Sequence, residues 1–371
     1  MTGGPLASLK VVEFSGLGPA PLAGQLLADM GAQVIAVDRQ PATADPTDIN
    51  RRGKKSVVLD LKSEAGVDAA RRLIAASDVL IEGFRPGVME RLGLGPDECP
   101  ETLIYARMTG WGQDGPLSHV AGHDITYLAL SGALHAMGDP DRPPVAPLNL
   151  VADYGGGTMF LIFGILSAVI ERGVSGKGQV VDAAMIDGVP AMMGLIHGML
   201  AQGTWGETRG DNWLDGAAPF YRCYKCSDGK FVAVGALEPQ FFALLLEKLG
   251  LPAAYAKDQN DKSNWQARTE EFAAVFATKS RDEWAEIFED SDACVAPVLT
   301  FSEAPDHAHV AARGTFVSPG GVQQSAKAPR FSRSVPVAVQ PPTPAGGDTV
   351  EVLSELGLSP DEIASATKKA P

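Results

Sequence analysis

Two short stretches pair an acid–base side chain with the start of an apolar helix. In AGHDITYLAL, residues 121–130, His123 follows Gly122 and precedes Asp124 and an apolar run. A helix beginning there points the positive end of its dipole at residues 122–124 and leaves its first backbone N–H groups free. Such donors hold a developing oxyanion. The same positive end disfavours imidazolium, which keeps a histidine neutral and able to accept a proton. One stretch thus supplies a base and an oxyanion donor, although a histidine that only caps or packs at a helix start leaves the same signature. In PLNLVADYGGGTMF, Asp153 stands before Gly155, Gly156 and Gly157 and a long apolar segment. The glycines let backbone approach a ligand closely, while an aspartate there is also a natural N-cap. In VGALEPQF, Glu238 follows an apolar strand and precedes Pro239 at a helix start. A carboxylate at that place serves the helix dipole or orients a histidine by hydrogen bond.

The elements that must carry these residues alternate along the chain. KVVEFS, QVIAVD, SVVLDL, DVLIEG and LIYARMTG read as strands, and PLAGQLLADMGA and residues 64–76 as helices. Strand and helix in alternation predict a parallel sheet with helices on its faces, an α/β fold. Residues 124–136 and 157–172 read as helices, GQVVDAAM as a strand, and the Met-rich run to about 202 as helix. Then the character changes. GTWGETRGDNWLDGAA is polar and Gly-rich, as a linker is. FYRCYKCSDGKFVAVG predicts a β-hairpin turning at Asp228-Gly229. Helices over 238–249, 265–278 and 282–289 follow, so a smaller α+β domain is expected. The chain turns Pro-rich from about 316, before a last helix near 348–356.

The bulk properties narrow the function classes. The 371 residues carry a net charge of −14, which repels nucleic acid and anionic membrane surfaces. No signal peptide is visible, and Met159–Ile170 is well short of the roughly 20 residues a bilayer span needs. A soluble cytoplasmic protein with reduced cysteines is expected. Cys223 and Cys226 form a C-x-x-C, but no second pair completes a zinc site, and three residues apart on a strand their thiols diverge. No metal is expected. Gly16, Gly18 and Asp38 imitate a dinucleotide fingerprint, yet Pro19 and Pro21 delete N–H donors that a pyrophosphate would need. Against the acidic background, RRGKK gathers Arg51, Arg52, Lys54 and Lys55, with Arg39 shortly before. This is either a solvated loop or an anion site. Met185, Met192, Met193 and Met199 are core filling or an adaptable apolar surface. His197 among them reads as a buried or boundary histidine.

GHDITY, Asp153 in LVADYGGG, SGKGQVVDAAM, DGAAPFY, VGALEPQF and SDACVAPV occur in an order and spacing that resembles the α-methylacyl-CoA racemases of the family III CoA-transferase superfamily. The resemblance runs from SLKVVEF to APRFS. It implies a Rossmann-like large domain over 1–186, completed by 328–371, a small α+β domain over 216–300, and linkers at 187–215 and 301–327. It also implies an interlocked homodimer with the active site between the large domain of one chain and the small domain of its partner. His123 and Asp153 are then the two acid–base residues, Glu238 of the other chain pairs with His123, and the Asp124 N–H is the oxyanion donor. Family CoA contacts fall on Arg39, on Leu59, Asp60, Leu61 and Lys62, on Gly83, Phe84 and Arg85, on Arg91, and on the stretch from Gly122 to Tyr127.

The implied chemistry suits these residue types. The α-carbon of an acyl thioester is a weak acid, and a general base alone contributes roughly 10²–10⁴-fold. Racemisation needs one proton carrier on each face of a planar enolate, and the thioester is its own electron sink, so no cofactor is expected. The phosphates of CoA would give Arg39, Arg51, Arg52, Arg85 and Arg91 a ligand. Three positions depart from the family pattern: Thr126 replaces asparagine, Ala217 replaces glycine, and Trp213 is bulky. If these positions line the acyl pocket, the bulky Trp213 narrows it. The main alternative is a family III CoA-transferase in which Asp153 attacks the thioester; there an aromatic residue commonly stands in place of His123. A non-catalytic CoA-thioester binder and a nicotinamide dehydrogenase are more distant.

Overall fold

The computed structural model describes residues 3–14 and 16–368. Six strands form one sheet: β1 (Lys10–Phe14), β2 (Gln33–Asp38), β3 (Lys55–Val58), β4 (Val79–Glu82), β5 (Ile104–Thr109) and β6 (Val180–Ala184). Their order is β3-β2-β1-β4-β5-β6 and each neighbouring pair is parallel. That is the order of doubly wound dinucleotide folds, where ligands gather at the carboxyl ends of the strands about the reversal between β1 and β4. All four residues of β4 are buried, as expected for a central strand covered by helices on both faces.

The flanking helices of this unit are α1 (Pro19–Asp29), α2 (Glu64–Ala75), α3 (Val88–Arg91), α4 (Asp124–Ser131), α5 (Phe160–Ser175) and α6 (Met185–Met192). Gly18, at φ +82°, turns the chain into α1, and Pro19 opens that helix with no side-chain cap. Ser63 caps α2 by accepting from the Gly66 N–H. The apolar face of α2 meets two C-terminal helices, Thr349–Glu355 and Pro360–Thr367, in a core that includes Leu73, Ile74, Leu353 and Ile363. The edge strand β3 is also covered from the C-terminus. Its Ser56 and Val58 N–H groups donate to Asp348 Oδ2 and Thr349 Oγ1 at 2.8 and 3.0 Å.

Two helices differ from their sequence expectation. The run 124–136 breaks at Gly132, φ +85°, into α4 and a 3₁₀ turn over Ala133–Ala136. The helix expected from 157 begins earlier, as a π-helix over Leu150–Met159 that continues into α5. The continuous helix Leu150–Ser175 has 26 residues and contains an 18-residue window of mean hydropathy 1.6, long and apolar enough by length and composition to cross a membrane. Reading Met159–Ile170 alone underestimates it. One stripe of the helix, Leu161, Ile165 and Ala168, is buried, and the helix packs on β5 and β6.

The chain divides into two units. The first takes the described residues up to Ser131, then Leu148–Met192 and those from Ala308 on; the second takes Gly132–Pro147 and Met193–His307. Sequence composition gives no reason to part 132–147 from the large domain over 1–186, or to see 203–215 as more than linker. The structure corrects both, and Arg209 is the reason. Its guanidinium donates to the carbonyls of His135, Asp139 and Arg142 at 3.0, 3.0 and 2.7 Å. Asn212 and Asp215 then bond the Gly-rich loop to itself. The stretch 301–327 is likewise no bare linker, since it holds a short helix, Ala308–Ala312, and a strand pair, Phe316–Val317 with Gln324–Ser325.

The second unit includes α7 (Gly194–Ala201). It contains an antiparallel sheet of β7 (Tyr221–Lys225), β8 (Phe231–Gly235) and β9 (Val295–Pro297). Helices α8 (Pro239–Leu249), α9 (Trp265–Phe276) and α10 (Arg281–Phe288) enclose an aromatic core including Phe220, Tyr224, Phe242, Phe272 and Trp284. Trp213 and Ala217 pack against that core. Cys223 is exposed, Cys226 is buried, and both are free thiols.

Candidate active site

The loops leaving β1, β4 and β5 converge at the carboxyl end of the sheet. Gly83, Phe84 and Arg85 after β4, and Trp111 after β5, border a cavity of about 470 Å³ together with Gly122, His123, Tyr127 and Asp153. Two further hollows lie beside it. One of about 640 Å³ is bordered by Arg39, Leu59, Asp60, Leu61, Lys62 and Phe84. The other, about 690 Å³, shares Arg39, Leu59, Leu61 and Phe84 and adds Asp38, Arg51 and Thr343. Phe84 borders all three. Arg91 borders none of them. It ends α3, whose Val88 borders the 640 Å³ hollow, and its guanidinium turns back toward Gly87.

His123 is exposed and immediately precedes α4. Its backbone is fixed by Thr126. The His123 N–H donates to Thr126 Oγ1 at 2.9 Å, and the same hydroxyl donates to the His123 carbonyl at 2.7 Å. This is the reciprocal half of a capping box, with threonine in the place glutamate usually takes. Thr126 therefore holds the His123 backbone. Thr126→Val keeps the shape and removes both bonds, and is expected to cost about 0.5–1.5 kcal/mol, read as a lowered urea midpoint. An unchanged midpoint would relieve Thr126 of this role.

Tyr127 borders the same cavity. A Cβ on Gly110 or Gly122 would overlap its ring, so both glycines are required by close packing. The ring meets Trp111 edge-on at 4.7 Å. Burial, with Asp153 adding to it, pushes the Tyr127 phenol up to about 12, so it remains a donor. Trp111 is a cavity residue that the sequence did not disclose, because nothing in GWGQDG separates it from a loop tryptophan.

Asp153 sits in the π-helical turn, half-buried. Burial raises its carboxyl above the ordinary range, and the nearby Asp124 carboxylate raises it further. A hydrogen bond from Asn149 and the proximity of His123 oppose this. A carboxyl so placed is suited to carry a proton as well as to take one. The glycines that follow do not face a ligand, as the sequence suggested. A Cβ on Gly156 would meet the Val189 N at 3.0 Å, and one on Gly188 would overlap the Gly156 carbonyl. They bring the π-helix into backbone contact with α6.

Asp124 starts α4, where the first N–H groups have no intrahelical partner, so the expected oxyanion donor is at a suitable place. Its side chain does something the sequence did not suggest: Oδ2 accepts from the Ala152 and Asp153 N–H groups at 2.8 and 2.9 Å. Glu238 belongs to the second unit, exposed at the N-cap of α8 and making no capping bond. His197 on α7 is exposed, not buried.

The basic run needs correcting. Arg52 is buried and donates to Asp29 and to Gln324, the shorter Asp29 contact being 2.6 Å. Lys54 is buried on Glu13 at 2.7 Å and on the Pro21 carbonyl. Arg51 forks onto Asp38 at 3.0 and 2.7 Å, and Lys55 pairs with Glu351. Arg52 and Lys54 hold the fold, because a charge taken from water must find a partner, while Arg51 is half-buried on Asp38 and the Lys55 pair is exposed. Of the arginines expected to meet an anion, Arg39 and Arg85 border the hollows without being spent in this way.

The model of the CoA-transferase family III matches residues 6–349. The chain is 47% identical over 364 residues to the alpha-methylacyl-CoA racemase of Mus musculus and 45% over 365 to that of Homo sapiens, each alignment covering 96% of this chain and 95% of the relative. It is 30% identical over 345 residues to the acetyl-CoA:oxalate CoA-transferase of Acetobacter aceti, covering 86% and 87%. A solved CAIB/BAIF family protein from Brucella suis superposes with a TM-score of 0.79 at 27% identity, covering 95% of this chain and 100% of that one.

Proposed function

Since the chain belongs to CoA-transferase family III, we propose that it is a racemase of 2-methylacyl-CoA thioesters, exchanging the (R) and (S) forms by proton transfer through an enolate. The carrying observation is that His123 and Asp153 border one cavity, in a chain far closer in identity to racemases than to the acetyl-CoA:oxalate CoA-transferase. In one direction the imidazole takes the α-proton. The electron pair of the C–H bond moves into the thioester and forms the enolate, whose oxygen is held at the start of α4. The protonated Asp153 carboxyl returns a proton to the opposite face. In the other direction the roles exchange, and no external oxidant, metal or cofactor is consumed.

CoA lies across the hollows at the carboxyl ends of the strands, with Arg39 and Arg85 as phosphate partners and Phe84 between its nucleotide and thioester ends. Arg85→Ala is expected to raise KM for the thioester more than it lowers kcat; an unchanged KM would exclude Arg85 as a ligand. A homodimer belongs to the same reading, with Glu238 of the second copy oriented on His123. It is supported by the outer face of α5, where Phe163, Ile170 and Val174 are 70, 74 and 90% exposed, a surface an isolated chain would leave in water.

The test is incubation of each epimer of a 2-methylacyl-CoA in deuterated water with chiral and mass analysis. Deuterium entering the α-position with loss of optical purity is expected. CoA exchange between two acyl donors without α-deuteration would overturn the reading in favour of the transferase.

A further inference from the structure

We infer that the buried Asp124 carboxylate is a positioning group for Asp153, clamping the π-helical backbone that carries Asp153 to the helix start that carries His123. The inference rests on His123 and Asp153 being the proton-transfer pair. Asp124 is 5% exposed. Its Oδ2 accepts both the Ala152 and the Asp153 N–H, at 2.8 and 2.9 Å. Those N–H groups open a long helix, and the carboxylate of a different helix caps them. Asp124 is the chain neighbour of His123, so one residue fixes the distance between the two proton carriers. Its other oxygen, Oδ1, is buried and makes no hydrogen bond among the described residues. A carboxylate that served only as a cap gains nothing from an unpaired buried oxygen, which is costly.

The charge of Asp124 has a second effect. Asp153 is already raised by burial, and Asp124 raises it further. The titratable groups acting on Asp153 are Asp124 and His123, on or beside α4, with Asn149 as a neutral donor, and Asp153 in turn raises Tyr127. The facing side of α6 contributes apolar contacts from Met185, Val189 and Met192. Between two carboxylates this close, a proton placed on one relieves their repulsion. Asp124 thereby favours the form in which Asp153 carries the proton and His123 is free to accept one.

Two variants separate the parts. Asp124→Ala removes the clamp; turnover is expected to fall about 10²-fold with KM for the thioester unchanged. Asp124→Asn keeps an oxygen able to accept from both N–H groups and removes the charge. It should recover most of the lost turnover, while the acid limb of its pH–rate profile moves to lower pH. The sign follows from the charge: with a like charge removed, the Asp153 carboxyl gives up its proton more readily, so doubly protonated pair appears only at lower pH. Should Asp124→Ala fail to fold, the pH profile of Asp124→Asn decides. Wild-type turnover in Asp124→Ala, or an acid limb that stays in place in Asp124→Asn, overturns the inference. His123→Ala and Asp153→Ala are assayed alongside. If they retain racemisation, the assignment of the pair itself has failed; if they lose it while the Asp124 variants behave as wild type, only the positioning role has failed.

Discussion

His123→Ala and Asp153→Ala each lose racemisation by roughly 10²–10⁴-fold, the worth of a general acid–base group, while retaining the fold and thioester binding. The loss has a structure that a simple defect would not. With two proton carriers on opposite faces of an enolate, removing one leaves the other able to take a proton and return it to the same face. Each variant should therefore exchange the α-hydrogen of one epimer with deuterated water while keeping its configuration, and the two variants should choose opposite epimers. Mass and chiral analysis of recovered thioester reads both properties. Equal exchange of both epimers in either variant would mean that one group serves both faces, and the two-carrier mechanism would be wrong.

Arg52→Ala is expected to lower stability by about 3–5 kcal/mol, a large share of the 5–15 kcal/mol that typically holds a domain. Arg52 and Asp29 are ion-paired with side chains 1 and 2% exposed, and the same guanidinium meets Gln324 and the Ser325 carbonyl. Removing it strands the Asp29 carboxylate in a dry interior and unties the C-terminal strand pair from α1. The denaturation midpoint should fall sharply. Replacing both partners with apolar residues of similar volume should restore much of it, because the burden is the unpaired charge. If Arg52 were instead a CoA ligand, its loss would raise KM and leave the midpoint where it was.

Much of the large unit was legible. The strand runs and α1 and α2 lie where periodicity put them, because apolar runs bounded by Gly and Pro have few other ways to fold. His123 and Asp153 were found as residues at helix starts, and the structure sets both on one cavity. What escaped was what depends on distant partners. Nothing local in RRGKK shows that its four cations meet Asp38, Asp29, Glu13 and Glu351, two of them in buried pairs, so the run resembles an anion site. The glycines after Asp153 were read as room for a ligand, when the room is taken by α6. Nothing local marks the Asp124 side chain, because an aspartate opening a helix is ordinary; its partners are 28 and 29 residues away. The last helix, Pro360–Thr367, carries its own signal in Ser359 and Glu362, a capping box that the sequence spells out.

The way the C-terminus covers β3 has a consequence for synthesis. Ser56 and Val58 receive their outer partners from Asp348 and Thr349, nearly 300 residues later on the ribosome. Until those residues emerge, the nascent sheet ends in a bare rim able to recruit a stranger's strand. Because the chain also leaves the first unit after Ser131 and again after Met192, no early fragment is a finished body. A stop before Asp348 is therefore expected to leave the edge strand β3 without its outer partners.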